Sequence, residues 1–150
     1  MHIIEGFLPP VWAVVWTVVA APVVIYGARR TLSLVRVDAR TKALVAVAAA
    51  FVFVLSALKL PSVAGSSTHP TGTGVLVVLF GPAVTAFVSV IVLLYQALLL
   101  AHGGVTTLGA NVTAMGIVGP FVGWTVYRVA RPIGSVQQAT FLAAAVTDWT

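Results

Sequence analysis

Cysteine is absent from all 150 residues, which excludes disulfides and thiolate metal sites and leaves nitrogen and oxygen as the only ligands for a metal. Charge is scarce: 7% of the residues are charged, against about 25% in a soluble globular domain. Three residues are acidic, Glu5, Asp38 and Asp148, so no chain of buried carboxylates is available for a proton relay. Two motifs are also missing. Without a G-x-x-x-x-G-K-S/T phosphate loop the chain is not expected to hydrolyse ATP, and without H-E-x-x-H it is not an intramembrane metalloprotease. No enzymatic reaction of its own is expected.

What is present is apolar: 60% of residues are hydrophobic and the mean hydropathy is +1.10. A chain of this composition is an integral membrane protein. Every crossing of the hydrocarbon must satisfy its own backbone, so the expected fold is all-α, a polytopic transmembrane bundle forming one domain over residues 1–150. The net charge of +5 could suggest nucleic acid, but Arg29, Arg30, Arg36, Arg40 and Lys42 fall in one short segment. They predict a cytoplasmic loop, with no nucleic-acid partner and the N-terminus on the outer side of the cell membrane. Glu5 before the first apolar run and Arg29-Arg30 after it reverse the charge order of a signal peptide, so the N-terminus is expected to be mature.

Residues 11–28 carry no charge and are long enough to span the bilayer, with Pro22 expected to kink the helix. Residues 43–58 return outward, and Ala46 and Ala50 offer a small-residue face, though alanine is common enough for chance to supply it. Residues 60–74, LPSVAGSSTHPTGTG, are polar, uncharged and poor in helix formers. Running residues 75–100 as one helix would leave Arg128 and Arg131 outside. Treating residues 60–80 as a broken crossing, turned at Gly81-Pro82, puts both arginines inside, as the charge rule prefers. Irregular backbone at membrane depth is tolerated only where protein buries it or a cavity needs it, so this crossing points to a site. Residues 83–101 then run outward, 102–111 form an outer loop and 112–127 return inward, with Gly119 and Gly123 a close-packing pair. The final apolar run, from about residue 138, is too short to span, so the sixth crossing is expected to be truncated.

This topology gathers residues 1–6, 66–74 and 102–111 on the outer side, and these segments hold all three histidines, His2, His69 and His102. Glu5 is the acidic residue expected with them, while Asp38 reads as a solvated charge among arginines. A histidine at position two has particular chemistry. The Met1 amine, the His2 amide nitrogen and the His2 Nδ1 can chelate one ion in adjacent rings, leaving a fourth in-plane position that His69 could fill. Such a nitrogen set suits Co(II), Ni(II) or Cu(II), whereas Mg and Ca prefer oxygen. Glu5 could fix an imidazole tautomer. His102 reads as a loop or supporting residue more than as a ligand, and Gln96 and Asn111 as supports. The plainer alternative stays open: a histidine after the initiator is commonly accidental, and one in a polar loop commonly only hydrogen-bonds.

The stretches MHIIEGFLPP, GSSTHPTGTG, LLYQALLLAHGGVTTLGAN and MGIVGP closely resemble the CbiM/NikM family, the substrate-specific membrane components of energy-coupling factor transporters for cobalt and nickel. The resemblance covers essentially the whole chain. It implies a substrate metal held by Met1, His2 and His69, with no resident cofactor. It also implies a transmembrane coupling subunit like CbiQ, ATPase subunits like CbiO, a small accessory membrane protein like CbiN, and delivery of the metal inward for cobalamin synthesis. Family members usually have seven helices, one more than the crossings counted here. Glu5 followed by GFLPP looks like the cobalt type, and nickel is the alternative. From another class, the chain could be a structural or assembly subunit of a membrane complex that binds no metal.

Overall fold

The computed structural model of the chain describes residues 2–58, 60–61 and 67–149. Met1 and residues 62–66 of the polar stretch named above lie outside them. The chain is helical nearly throughout, in the order α1 (Pro10–Val37), α2 (Ala39–Ala57), α3 (Thr73–Phe80), α4 (Pro82–Leu100), α5 (Leu108–Asn111), α6 (Gly119–Ala130) and α7 (Val136–Trp149). A π-helical stretch, Val112–Val118, joins α5 to α6. Two short strands, β1 (Leu60–Pro61) and β2 (Ser67–Thr68), pair antiparallel ahead of α3. Three of the helices, α1, α2 and α4, are long and apolar enough to cross a membrane.

α1 does not stop before the arginines. It continues through Arg29, Arg30 and Arg36 to Val37, 28 residues in all, because arginine is a good helix former and nothing in that stretch breaks the backbone ladder. Its length is about 42 Å, so one end passes beyond any hydrocarbon layer. The expected loop over residues 29–42 is therefore reduced to Asp38. That aspartate is not a merely solvated charge: in extended conformation it caps α2, accepting from Arg40 N at 3.0 Å and Thr41 N at 2.9 Å.

Gly81 separates α3 from α4 with φ 82, a left-handed value that favours glycine, and Pro82 opens α4 where its missing N–H costs nothing. The eight residues of α3 are too few to cross by themselves, as expected of the broken crossing. The loop expected over residues 102–111 is shorter than that, since Leu108–Asn111 is already helical. Pro120 gives a reason for the π-helical stretch before it. A proline cannot donate to the carbonyl four residues back and its ring crowds that carbonyl; Gly119 N bonds instead to Ala114 O, five residues back.

α4 is the axis of the bundle. Its Val84, Val88 and Val92 pack with Val45 and Val52 of α2 and Leu76 of α3, while its Leu93 packs with Ala20 of α1 and Val112. The exterior is apolar: Trp12, Val18, Phe51, Val54, Leu98, Leu99 and Phe141 are all exposed, as side chains facing lipid should be. Lipid tails are as apolar as leucine, so burial alone does not hold such helices together; close approach does. Gly123 supplies it, because a Cβ there would overlap Thr147 Oγ1 of α7. The Ala46–Ala50 face does not, since both alanines are exposed and α2 packs through Val45, Ala48, Ala49 and Val52. Buried threonines satisfy their own hydroxyls on the preceding turn, Thr31 on Gly27 O and Thr147 on Ala143 O.

Candidate metal centre

His2, His69 and His102 form one cluster at the end of the bundle where α1 begins and α4 ends. One ligand atom from each lies within 4.8 Å of the others. His2 and His69 are buried, at 7% and 8% exposure, and His102 is half-buried. Nδ1 of His2 stands 3.2 Å from Nε2 of His69. His102 was expected in a supporting position; its ring centroid lies 4.2 Å from that of His2.

Three different devices hold the three imidazoles. The segment carrying His2 is pinned by Asn111, whose Oδ1 accepts from Ile3 N at 2.8 Å and whose Nδ2 donates to Ile3 O at 3.1 Å. Thr107 Oγ1 donates to the same Ile3 carbonyl at 2.7 Å. Both supporting residues are buried, and Asn111 Nδ2 also donates to Thr107 Oγ1. Residues 69–72, carrying His69, lie between β2 and α3 and are held by Asp148, which accepts from both Thr71 N, at 3.1 Å, and Thr71 Oγ1. Asp148 was missed from the sequence, where Glu5 was taken as the acid of this side. Its position after an apolar run gave no sign that α7 would return it to the loop.

His102 follows the end of α4, where Ala101 takes the left-handed conformation and His102 N bonds back to Gln96 O at 3.1 Å. The loop beyond it is tied by Glu5. The Glu5 carboxylate accepts from Thr106 N at 3.1 Å and from Thr106 Oγ1, and Glu5 N donates to Gly103 O at 3.3 Å. Glu5 thus joins the N-terminal segment to the His102 loop through Thr106 and Gly103, where it was expected to fix an imidazole tautomer. The Thr106 hydroxyl, then its backbone N–H, keep the Glu5 carboxyl below the usual carboxylate range.

Gln96, wholly buried on α4, donates from Nε2 to Ser56 Oγ of α2 at 2.5 Å. It also acts on His2. Burial first, then His102 and His69, push the His2 imidazole from 6.5 down to about 3, while Gln96 as acceptor works the other way. His2 Nε2 and Gln96 Oε1 are both buried and neither has a hydrogen-bond partner among the described residues, so the two are complementary, an Nε2–H as donor and the amide oxygen as acceptor. His2 is therefore a neutral imidazole at physiological pH, ready to donate a lone pair without first losing a proton.

Known proteins share this arrangement of chain. Residues 2–150 match the family model of CbiM, described as a cobalt uptake substrate-specific transmembrane region. A CbiM protein of Haloquadratum walsbyi is 71% identical over 150 residues, which are 100% of this chain and 68% of that one. The cobalt transport protein CbiM of Listeria seeligeri is 52% identical over 98% of this chain and 60% of its own. Among solved structures, a truncated transition metal transporter superposes with TM-score 0.89 at 28% identity, covering 99% of this chain and 69% of that one. A second transition metal transporter superposes with TM-score 0.88 at the same 28% identity, covering 99% of this chain and 65% of its own.

Proposed function

The chain belongs to the CbiM family of cobalt uptake transmembrane regions, and on that footing we propose that it captures divalent cobalt from the outer side of the cell membrane as the substrate-binding part of an ATP-driven importer. The ion is the transported substrate, held by the Met1 amine, His2 and His69. The observation that carries this reading is the 3.2 Å between His2 Nδ1 and His69 Nε2. Two nitrogens at about 2.0–2.1 Å from one ion stand about 2.9 Å apart at a right angle and about 3.4 Å apart at the tetrahedral angle. The two imidazoles thus already have the separation of neighbouring ligands. Gln96 would keep the proton on His2 Nε2, Asn111 would fix the backbone beside the chelate, and Asp148 would hold the His69 loop.

Import needs an energy source that this chain lacks. In this reading a transmembrane coupling subunit like CbiQ, ATPases like CbiO and an accessory protein like CbiN supply it, and the cobalt is delivered for cobalamin synthesis. The test is a calorimetric titration of the purified protein, its Met1 unblocked, with Co(II) and with Ni(II). Tight binding of Co(II) at one site supports the reading. Tight binding of Ni(II) alone would make it a nickel importer component, and binding of neither at micromolar levels would leave a structural subunit.

A further inference from the structure

We propose that His102 is a direct ligand, reaching the ion along the axis of the plane occupied by His2 and His69, and that it sets the preference for cobalt over nickel. This rests on the reading above, in which the ion lies between His2 and His69.

The three imidazole ring planes differ in their inclination. Those of His2 and His69 are inclined by only 30°, whereas the His102 ring stands at 66° to the first and 73° to the second. An imidazole coordinates through a lone pair in its own ring plane. In the reading above, the Met1 amine, the His2 amide nitrogen, His2 Nδ1 and His69 Nε2 fill the four positions of the coordination plane. A ligand atom of His102 lies within 4.8 Å of those of His2 and His69, and with the plane filled the position left to it is the axial one.

The backbone before His102 points the same way. Ala101 has φ 47, the one positive φ at a non-glycine among the described residues, and a Cβ disfavours that conformation. This left-handed residue ends α4 and lets His102 N bond back to Gln96 O at 3.1 Å, with Gly103 at φ 81 turning the chain again. A continuing helix would carry residue 102 onward along the α4 axis. The strained turn instead keeps it beside His2.

An axial nitrogen discriminates between the two metals. Low-spin Co(II), d7, holds a single electron in the orbital along the axis and accepts a fifth ligand. Low-spin Ni(II), d8, has that orbital filled and is satisfied by four ligands in a square plane. A fifth nitrogen therefore favours cobalt.

The test is electron paramagnetic resonance of the purified, unblocked wild-type protein holding one equivalent of Co(II). One axial nitrogen-14 splits each parallel cobalt hyperfine line into three, and growth on nitrogen-15 histidine should turn each triplet into a doublet. His102→Ala should lose the splitting while still binding cobalt, regain it with added imidazole, and bind cobalt at least about tenfold less tightly relative to nickel. Cobalt bound by the wild type without the splitting, a triplet unaffected by the label, or a triplet retained in His102→Ala would overturn the proposal while leaving cobalt capture intact. No cobalt bound by the wild type would remove both.

Discussion

The side-chain amide of Asn111 holds the backbone of Ile3 from both directions, accepting from its N–H at 2.8 Å and donating to its carbonyl at 3.1 Å. It does for the N-terminal segment what a neighbouring strand does in a sheet, and it does so one residue from His2. A chain terminus is ordinarily loose, and the proposed chelate would need such a clamp.

Asn111→Ala leaves the Ile3 amide without this partner. An unsatisfied buried polar group costs about 1–3 kcal/mol. The variant should fold with a lower thermal midpoint in detergent and bind Co(II) about 10- to 100-fold more weakly, as supports of metal ligands do. Calorimetric titration beside a thermal unfolding scan checks both effects.

Asp148→Ala addresses His69 through its loop. The substitution removes both bonds to Thr71, while Asp148 itself is exposed, so the fold should survive. Affinity for Co(II) should fall, and Asp148→Asn, which keeps an acceptor oxygen, should recover part of it. Equal affinity in all three proteins would mean that the loop needs no anchor.

Helix packing is separable from the site. Gly123→Val places side-chain atoms against Thr147 Oγ1 and Ala143 O of α7, and overpacking of this kind costs about 1–3 kcal/mol. Ala46→Leu, on the exposed face of α2, should leave the thermal midpoint unchanged. Circular dichroism melts of the two variants in one detergent compare them directly.

Acidity should loosen the metal-free protein. The folded state holds His2 at about 3 instead of 6.5 and Glu5 below 4.5, so in both cases the unfolded chain binds protons more readily. Stability is then full above about pH 6.5 and is lost as pH falls, first through His2 and below 4.5 also through Glu5. His2→Ala should flatten the upper part of this loss and Glu5→Gln the lower. Thermal scans between pH 7 and 4 measure the two slopes.

Much of this arrangement could be read from the chain because a membrane imposes simple rules. Scarcity of charge gives the helical bundle, and Gly81-Pro82 together with the positions of Arg128 and Arg131 gives the broken crossing. The gathering of His2, His69 and His102 at one end follows from counting crossings. What escaped depends on contacts that local composition does not encode. Arg29, Arg30 and Arg36 were expected in a loop, but they are good helix formers and α1 runs on through them to Val37. Asp38 sits in a charged run that hides its role as a cap. Thr71 and Asp148 are 77 positions apart and share no motif. Glu5 was assigned an imidazole because it is an acid near histidines, and Thr106, which it holds, resembles any loop threonine. The π-helical stretch before Pro120 is a repair of the backbone ladder, invisible to apolar periodicity.

Whether the Met1 amine holds the ion, as proposed, can be tested by adding one residue before Met1 and repeating the Co(II) titration. The amine would be displaced while His2, His69, Asn111 and Asp148 all remain. Tight binding should disappear, with the thermal midpoint of the metal-free protein unchanged. Undiminished affinity in the extended protein would contradict the proposal and leave the metal to the imidazoles alone.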